Sequence, residues 1–193
     1  MPPALPRILT AILALCLQAL GARAEPQTYA LQPDASHVVF LADLAGQPLR
    51  GEIPLGAVDL RLDFTDLAAC SVAVTLQTAA ARADLPLMRA ALLGKGVLDS
   101  AHFPQARFVS TRVRPVDGGA VVEGLLTLKG ITRPVALQAR LLRQRGTAPG
   151  DLNRLTLYLR GAISRSQFGA DAMPDLVGDR VGLEITLRIR RVD

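Results

Sequence analysis

Two β-patterned runs, residues 120–128 and 135–142, are joined through Lys129-Gly130. At such a junction glycine supplies the positive φ that a tight hairpin turn demands, so the middle of the chain is committed to antiparallel sheet. The same two-residue period recurs on both sides of it. Val58, Leu60, Leu62 and Phe64 alternate with charged residues, and residues 71–76, 155–163 and 181–189 are apolar at every second position. Alternation of that kind marks strands with one buried face. Residues 37–44 are apolar on both faces and need cover on both. Shorter runs at 28–31 and 108–113 complete the set, with turns at Pro33-Asp34, Thr65-Asp66 and Asp117-Gly118-Gly119. Gly46, Pro48 and Gly51 interrupt the pattern between the second run and the third.

The period changes once. From Asp84 to Gly94, Leu85, Met88 and Leu92 fall on one helical face, with Asp84 as N-cap, Pro86 in the first turn, and Gly94 and Gly96 as stops. One short helix is expected near 84–94. It either closes one end of the sheet as a lid or lies across it, and periodicity fits both.

At the N-terminus, Arg7 precedes an apolar run over residues 8–20, followed by Ala22-Arg23-Ala24. Charge, short hydrophobic region and small-x-small site are the parts of a secretory signal, expected here over residues 1–24 with cleavage after Ala24. A retained anchor would need about 20 apolar residues, more than this run provides. Cys16 raises lipidation, against which the bulky Leu15 stands. With the signal removed, Cys70 is the remaining cysteine, so the mature domain of residues 25–193 forms no internal disulfide and relies on its core. The expected localisation is the periplasm.

The chain of 193 residues has a formal net charge of +5. Its arginines, among them Arg107, Arg112, Arg140, Arg160, Arg188 and Arg190, are scattered along strands, which reads as a solvated sheet face; a nucleic-acid partner is not expected. Reactive groups are few. His37 lies in a strand and His102 in a loop, neither beside a nucleophile motif, and no ligand-spaced cluster suggests zinc. No glycine-rich loop opens a helix after a strand, so a nucleotide has no evident seat. No metal, catalytic residue or cofactor is expected. About eight or nine consecutive, short-looped strands without repeat or linker fit one antiparallel barrel or sandwich. An eight-stranded barrel either fills its interior with side chains or holds one small ligand.

Particular motifs go further. Residues 124–135 read Gly-x-Leu-Thr-x-x-Gly-x-Thr-x-Pro-Val, and Arg165-Ser166-Gln167-Phe168-Gly169 follows near the C-terminus. Together with the opening at 29–40, the segment 97–110 and Val177-Gly178-Asp179-Arg180-Val181, they resemble the YceI-like family of polyisoprenoid-binding, lipocalin-like periplasmic proteins. The resemblance implies an all-β, closed antiparallel barrel of about eight strands whose apolar channel holds a polyprenyl lipid or quinone tail, without catalytic residues. This chain departs from the family pattern in a shorter, non-aromatic segment between Leu44 and Val58, and in Arg89-Ala90-Ala91-Leu92-Leu93 on the helix.

The expected function is therefore a non-enzymatic holder of an isoprenoid or other long-chain apolar ligand. Phe40, Leu87, Met88, Phe108, Leu126, Leu157 and Phe168 are the candidates for cavity or mouth. The alternative is a partner-binding or stress-related barrel with a filled interior. Transient membrane-surface contact and a homodimer are both compatible with the sequence.

Overall fold

A computed structural model describes residues 25–85, 88–144 and 146–192. The expected signal segment and Leu87 lie outside the described residues. The chain runs β1 (Gln27–Leu31), β2 (His37–Leu44), β3 (Gln47–Glu52), β4 (Leu55–Leu62), β5 (Ser71–Leu76), β6 (Arg82–Ala83), helix α1 (Met88–Leu93), β7 (Ala106–Val116), β8 (Gly119–Leu128), β9 (Ile131–Arg143), β10 (Arg154–Ser164) and β11 (Arg180–Arg191). Every ladder is antiparallel, and β11 pairs with β10 on one side and with both β1 and β2 on the other, closing the sheet into a barrel. No edge is left along that seam.

The barrel has eight staves, three of them broken. β1 and β2 form one stave interrupted by a 3-10 turn at Pro33–Ala35; β3 and β4 form the next, interrupted at Ile53-Pro54; β5 and β6 form the third, interrupted at Thr78–Ala80. Hydrogen bonds stitch the breaks. Ile53 N–H donates to Val38 O at 2.9 Å, Gln77 N–H to Pro54 O at 2.8 Å and Asp84 N–H to Arg50 O at 2.9 Å. Asp84, expected as a helix cap, thus extends the β3–β6 edge instead.

Two hairpins show why local sequence sets register. At Lys129 and Gly130 φ is 49° and 72°, the paired positive values of a type I′ turn, closed by Leu128 opposite Ile131. Ala45 and Gly46, at 52° and 82°, turn β2 into β3 in the same way, so the segment read as an interruption is a hairpin strand. Inward positions carry the core: Leu60, Leu155 and Ile189 are fully buried, and Leu62, Val122, Leu126, Leu137 and Leu187 join them. Strand alternation then leaves Arg154 and Arg160 of β10 and Arg188 and Arg190 of β11 outside.

β6 makes a ladder with β3 alone. Between β6 and β7 the chain supplies α1 and residues 94–105, anchored by the Thr78 hydroxyl donating to Phe103 O at 2.6 Å and by Ala79 N–H donating to Pro104 O. This segment and the loop from Ala170 to Gly178 together cap one end of the barrel, where Ala172 N–H donates to Gly96 O.

Candidate functional site

The interior is hollow. Three cavities lie in succession, and their walls share side chains. The mouth cavity, about 120 Å³, is bounded by Met88, Ala91 and Leu92 of α1, by Phe40, Ala42 and Leu49, and by Ala170, Met173 and Val177 of the capping loop. A middle cavity of about 100 Å³ shares Phe40, Ile53, Leu128, Ile163 and Leu183 with the mouth. A far cavity of about 230 Å³ shares Val72, Leu159 and Leu187 with the middle one and ends among Leu60, Phe64, Leu67 and Leu141. The lining is almost wholly hydrocarbon. Helix α1 therefore sits over the end of the bore, and its apolar stripe forms part of the wall.

Glycines on the inner face hold the bore open. Phe40 lies opposite Gly51 in the β2–β3 register, and a β-carbon at Gly51 would collide with the Phe40 ring. One at Gly124 would fall 2.5 Å from Cζ of Phe108, and one at Gly161 would fall 2.6 Å from Cδ2 of Leu137. Because each glycine lacks a side chain, its neighbour lies back against the wall rather than across the bore.

The expected site residues separate by depth. Phe40, Phe108 and Leu126 come together around the middle cavity; Phe40 and Met88 line the mouth; Leu157 lines the far cavity. Phe168, 1% exposed, lines none of these three and is packed in the core beneath the capping loop. Spacing had not pointed to Leu49 and Ile53, since their segment read as a break.

Arg165 was also not singled out. Only 7% exposed, it donates from Nε to Gly178 O (3.1 Å), from Nη1 to Ala170 O (2.6 Å) and Ala172 O (2.9 Å), and from Nη2 to Val177 O (2.7 Å). One guanidinium thus gathers four carbonyls of the capping loop, the work of a planar fork that no ammonium can do. Its signal in the sequence is the first position of Arg-Ser-x-Phe-Gly. Asp179 supports the same corner: the Ser164 hydroxyl, then the Ser166 N–H and hydroxyl, hold its carboxyl below the ordinary value. Lys129 Nζ reaches across from the β8–β9 turn to Lys95 O and Gly169 O.

Other polar groups have structural partners. His37 Nδ1 lies 3.2 Å from Glu52 Oε1 and His102 Nδ1 lies 2.8 Å from Asp99 Oδ1, both on the surface. Cys70 Sγ accepts from Asp63 N–H, and burial pushes its thiol up, away from nucleophilic use. Among the described residues no three His, Cys, Asp or Glu side chains converge on a metal-sized space. What the arrangement offers is a row of three neighbouring apolar cavities along the barrel.

Comparison with known proteins agrees with this geometry. The family model described as YceI-like domain matches residues 29–189. A UPF0312 protein of Yersinia pestis is 42% identical over 77 residues, and Protein YceI of Salmonella arizonae is 39% identical over 71. Those alignments span 40% and 37% of either chain, so the match reaches about two-fifths of the length of these curated relatives. Among solved structures, Burkholderia cenocepacia BcnA matches with a TM-score of 0.73 at 22% identity over 82% of this chain and 99% of its own. The Campylobacter jejuni YCEI protein matches with a TM-score of 0.60 at 13% identity over 100% of this chain and 99% of its own. At such identities these structures speak for the fold. An eight-stave barrel with the two motifs in their places and a family match over nearly all its length belongs to the YceI-like family.

Proposed function

We propose that this protein binds a single long apolar chain, an isoprenoid such as a polyprenyl lipid or quinone tail, threaded along the barrel. The observation that carries this reading is the run of three cavities with shared, almost purely hydrocarbon walls. Burying each methylene of a tail contributes about 0.8 kcal/mol, so a bore of Leu, Val, Ile and Phe binds by length without polar recognition. The same lining sets selectivity: it accepts related tails and offers no group that would distinguish their internal chemistry. Its hollowness counts against a filled, purely structural barrel. The protein acts in the periplasm, reached by a leader over residues 1–24 that is removed after Ala24.

Purified full-length protein processed in its host, extracted with organic solvent and examined by mass spectrometry, should release a long-chain lipid in a fixed ratio to protein. N-terminal sequencing of the same sample should begin at Glu25. Repeated recovery of no lipid from folded protein, combined with failure to take up an added isoprenoid, overturns the binding assignment; recovery of the protein from the cytoplasm overturns the location.

A further inference from the structure

We propose that the outer face of β9, β10 and β11, at the far-cavity end, docks on an anionic phospholipid membrane. Leu155 and Ile189 are fully buried, so strand alternation turns Arg154, Thr156 and Tyr158, and Arg188 and Arg190, outward. In the outward rows Arg154 lies directly opposite Arg190; Arg188, Thr156 and Leu142 form the next row; Thr186, Tyr158 and Arg140 form the third. All four arginines are exposed, and none is in an ion pair with the described residues. The first carboxylate met in these rows, Glu184 in the fourth, is already held by Arg160 at 3.1 Å.

Like charges directly across a ladder destabilise a sheet. Arg154 opposite Arg190 is therefore a local cost that no ion pair among the described residues offsets, the kind of exception expected where a surface serves a partner. Guanidinium forks match phosphate oxygens in geometry and charge. Phosphate alone does not account for the leucines. Leu142, 53% exposed, stands in the middle of the basic rows; Leu152, 39% exposed, lies on the loop folded over the same end, its carbonyl accepting from the Tyr29 hydroxyl. Leu141, next in sequence, lines the far cavity. Cations flanked by exposed leucines fit a surface that carries phosphate outside and hydrocarbon just beneath, which a lipid bilayer has and a soluble polyanion lacks.

The docking face does not depend on what fills the bore, although it places one end of the bore against a membrane. It can be tested by flotation of the full-length protein with phosphatidylcholine vesicles, with and without phosphatidylglycerol, at low and physiological salt. The wild type should float with the anionic vesicles alone and progressively less as salt rises. Each of Arg154→Gln and Arg190→Gln should lower partitioning about fivefold, and the pair about thirtyfold. Leu142→Ser should lower it further at unchanged net charge. All of these are surface substitutions, and circular dichroism checks that each variant is folded. Equal flotation on neutral vesicles, or flotation indifferent to the arginines, overturns the proposal. So does heparin binding as tight as vesicle binding and unmoved by Leu142→Ser, since the patch would then serve a polyanion. Loss of docking with bound lipid still recoverable leaves the binding assignment standing, and the converse result leaves the docking face standing.

Discussion

Ile163→Trp tests whether a tail passes along the bore. Ile163 projects inward from β10 and lines both the mouth cavity of about 120 Å³ and the middle cavity of about 100 Å³, so an indole there occupies the neck between them. If a chain methylene needs about the volume of a water molecule, about 30 Å³, the middle cavity of about 100 Å³ holds about three. At about 0.8 kcal/mol each, their loss weakens binding by about 2 to 3 kcal/mol, between about thirtyfold and about 150-fold. A tail threaded from the mouth also loses the far cavity of about 230 Å³, which more than doubles the deficit and takes binding below detection. Equilibrium titration with a fluorescent tail probe measures the change, and urea unfolding reports the overpacking cost, expected to be at most about 1–3 kcal/mol. A folded Ile163→Trp protein that keeps its probe affinity within about twofold would refute the threaded path.

Three further outcomes follow from the same contacts. Arg165→Gln strands several buried carbonyls of the capping loop and should destabilise the protein by about 3 kcal/mol or more in urea unfolding, and Arg165→Lys should not restore it. Gly124→Ala sets a β-carbon 2.5 Å from both Phe108 Cζ and Val109 O. It should cost about 1–3 kcal/mol and, by driving the ring into the middle cavity, should lower tail affinity in the same titration. The Asp63 carboxyl is held below its ordinary 3.8 by the Thr65 hydroxyl, the Thr65 N–H and the Asp66 N–H, and Asp179 is held down by Ser164 and Ser166. Depressed folded-state values give stability that is present above the unfolded pKa and lost as pH falls through the folded one. Thermal melts should therefore decline on the acid side of 3.8, and Asp63→Asn and Asp179→Asn should each flatten that decline.

Alternation made most of the wall legible. The expected strands at 37–44 and 71–76 coincide with β2 and β5, and β8, β10 and β11 each begin within a residue of their expected starts. Where the reading fell short, a side chain in space had overruled a local signal. Gly51 reads as a breaker, yet it is the seat of the Phe40 ring; Pro48 is accommodated opposite Asp43 near a hairpin tip. Phe64, placed at the end of an alternating strand, falls beyond Leu62, where its ring meets Tyr29 edge-on at 6.1 Å. Whether the barrel was hollow was invisible for a related reason. Inward leucines and valines pattern identically in a packed core and in a lined bore, and the difference here rests on which glycine faces which ring. Arg165 stands in the Arg-Ser-x-Phe-Gly motif, but its role is not legible there because its partners are backbone carbonyls, which leave no trace in residue identity.

The broken staves have a mechanical consequence. All three interruptions fall on adjacent staves, whereas β7 to β11 run without a break for 10 to 13 residues each. The cylinder thus has a stiff spine on one side and a jointed flank on the other. The flank's outermost ladder, β3 with β6, is only two residue pairs long. A ladder that short adds little to the hold on the wall, so the β3–β6 hydrogen bonds should be the first of the cylinder to open, and the amides beside them the first to exchange with solvent.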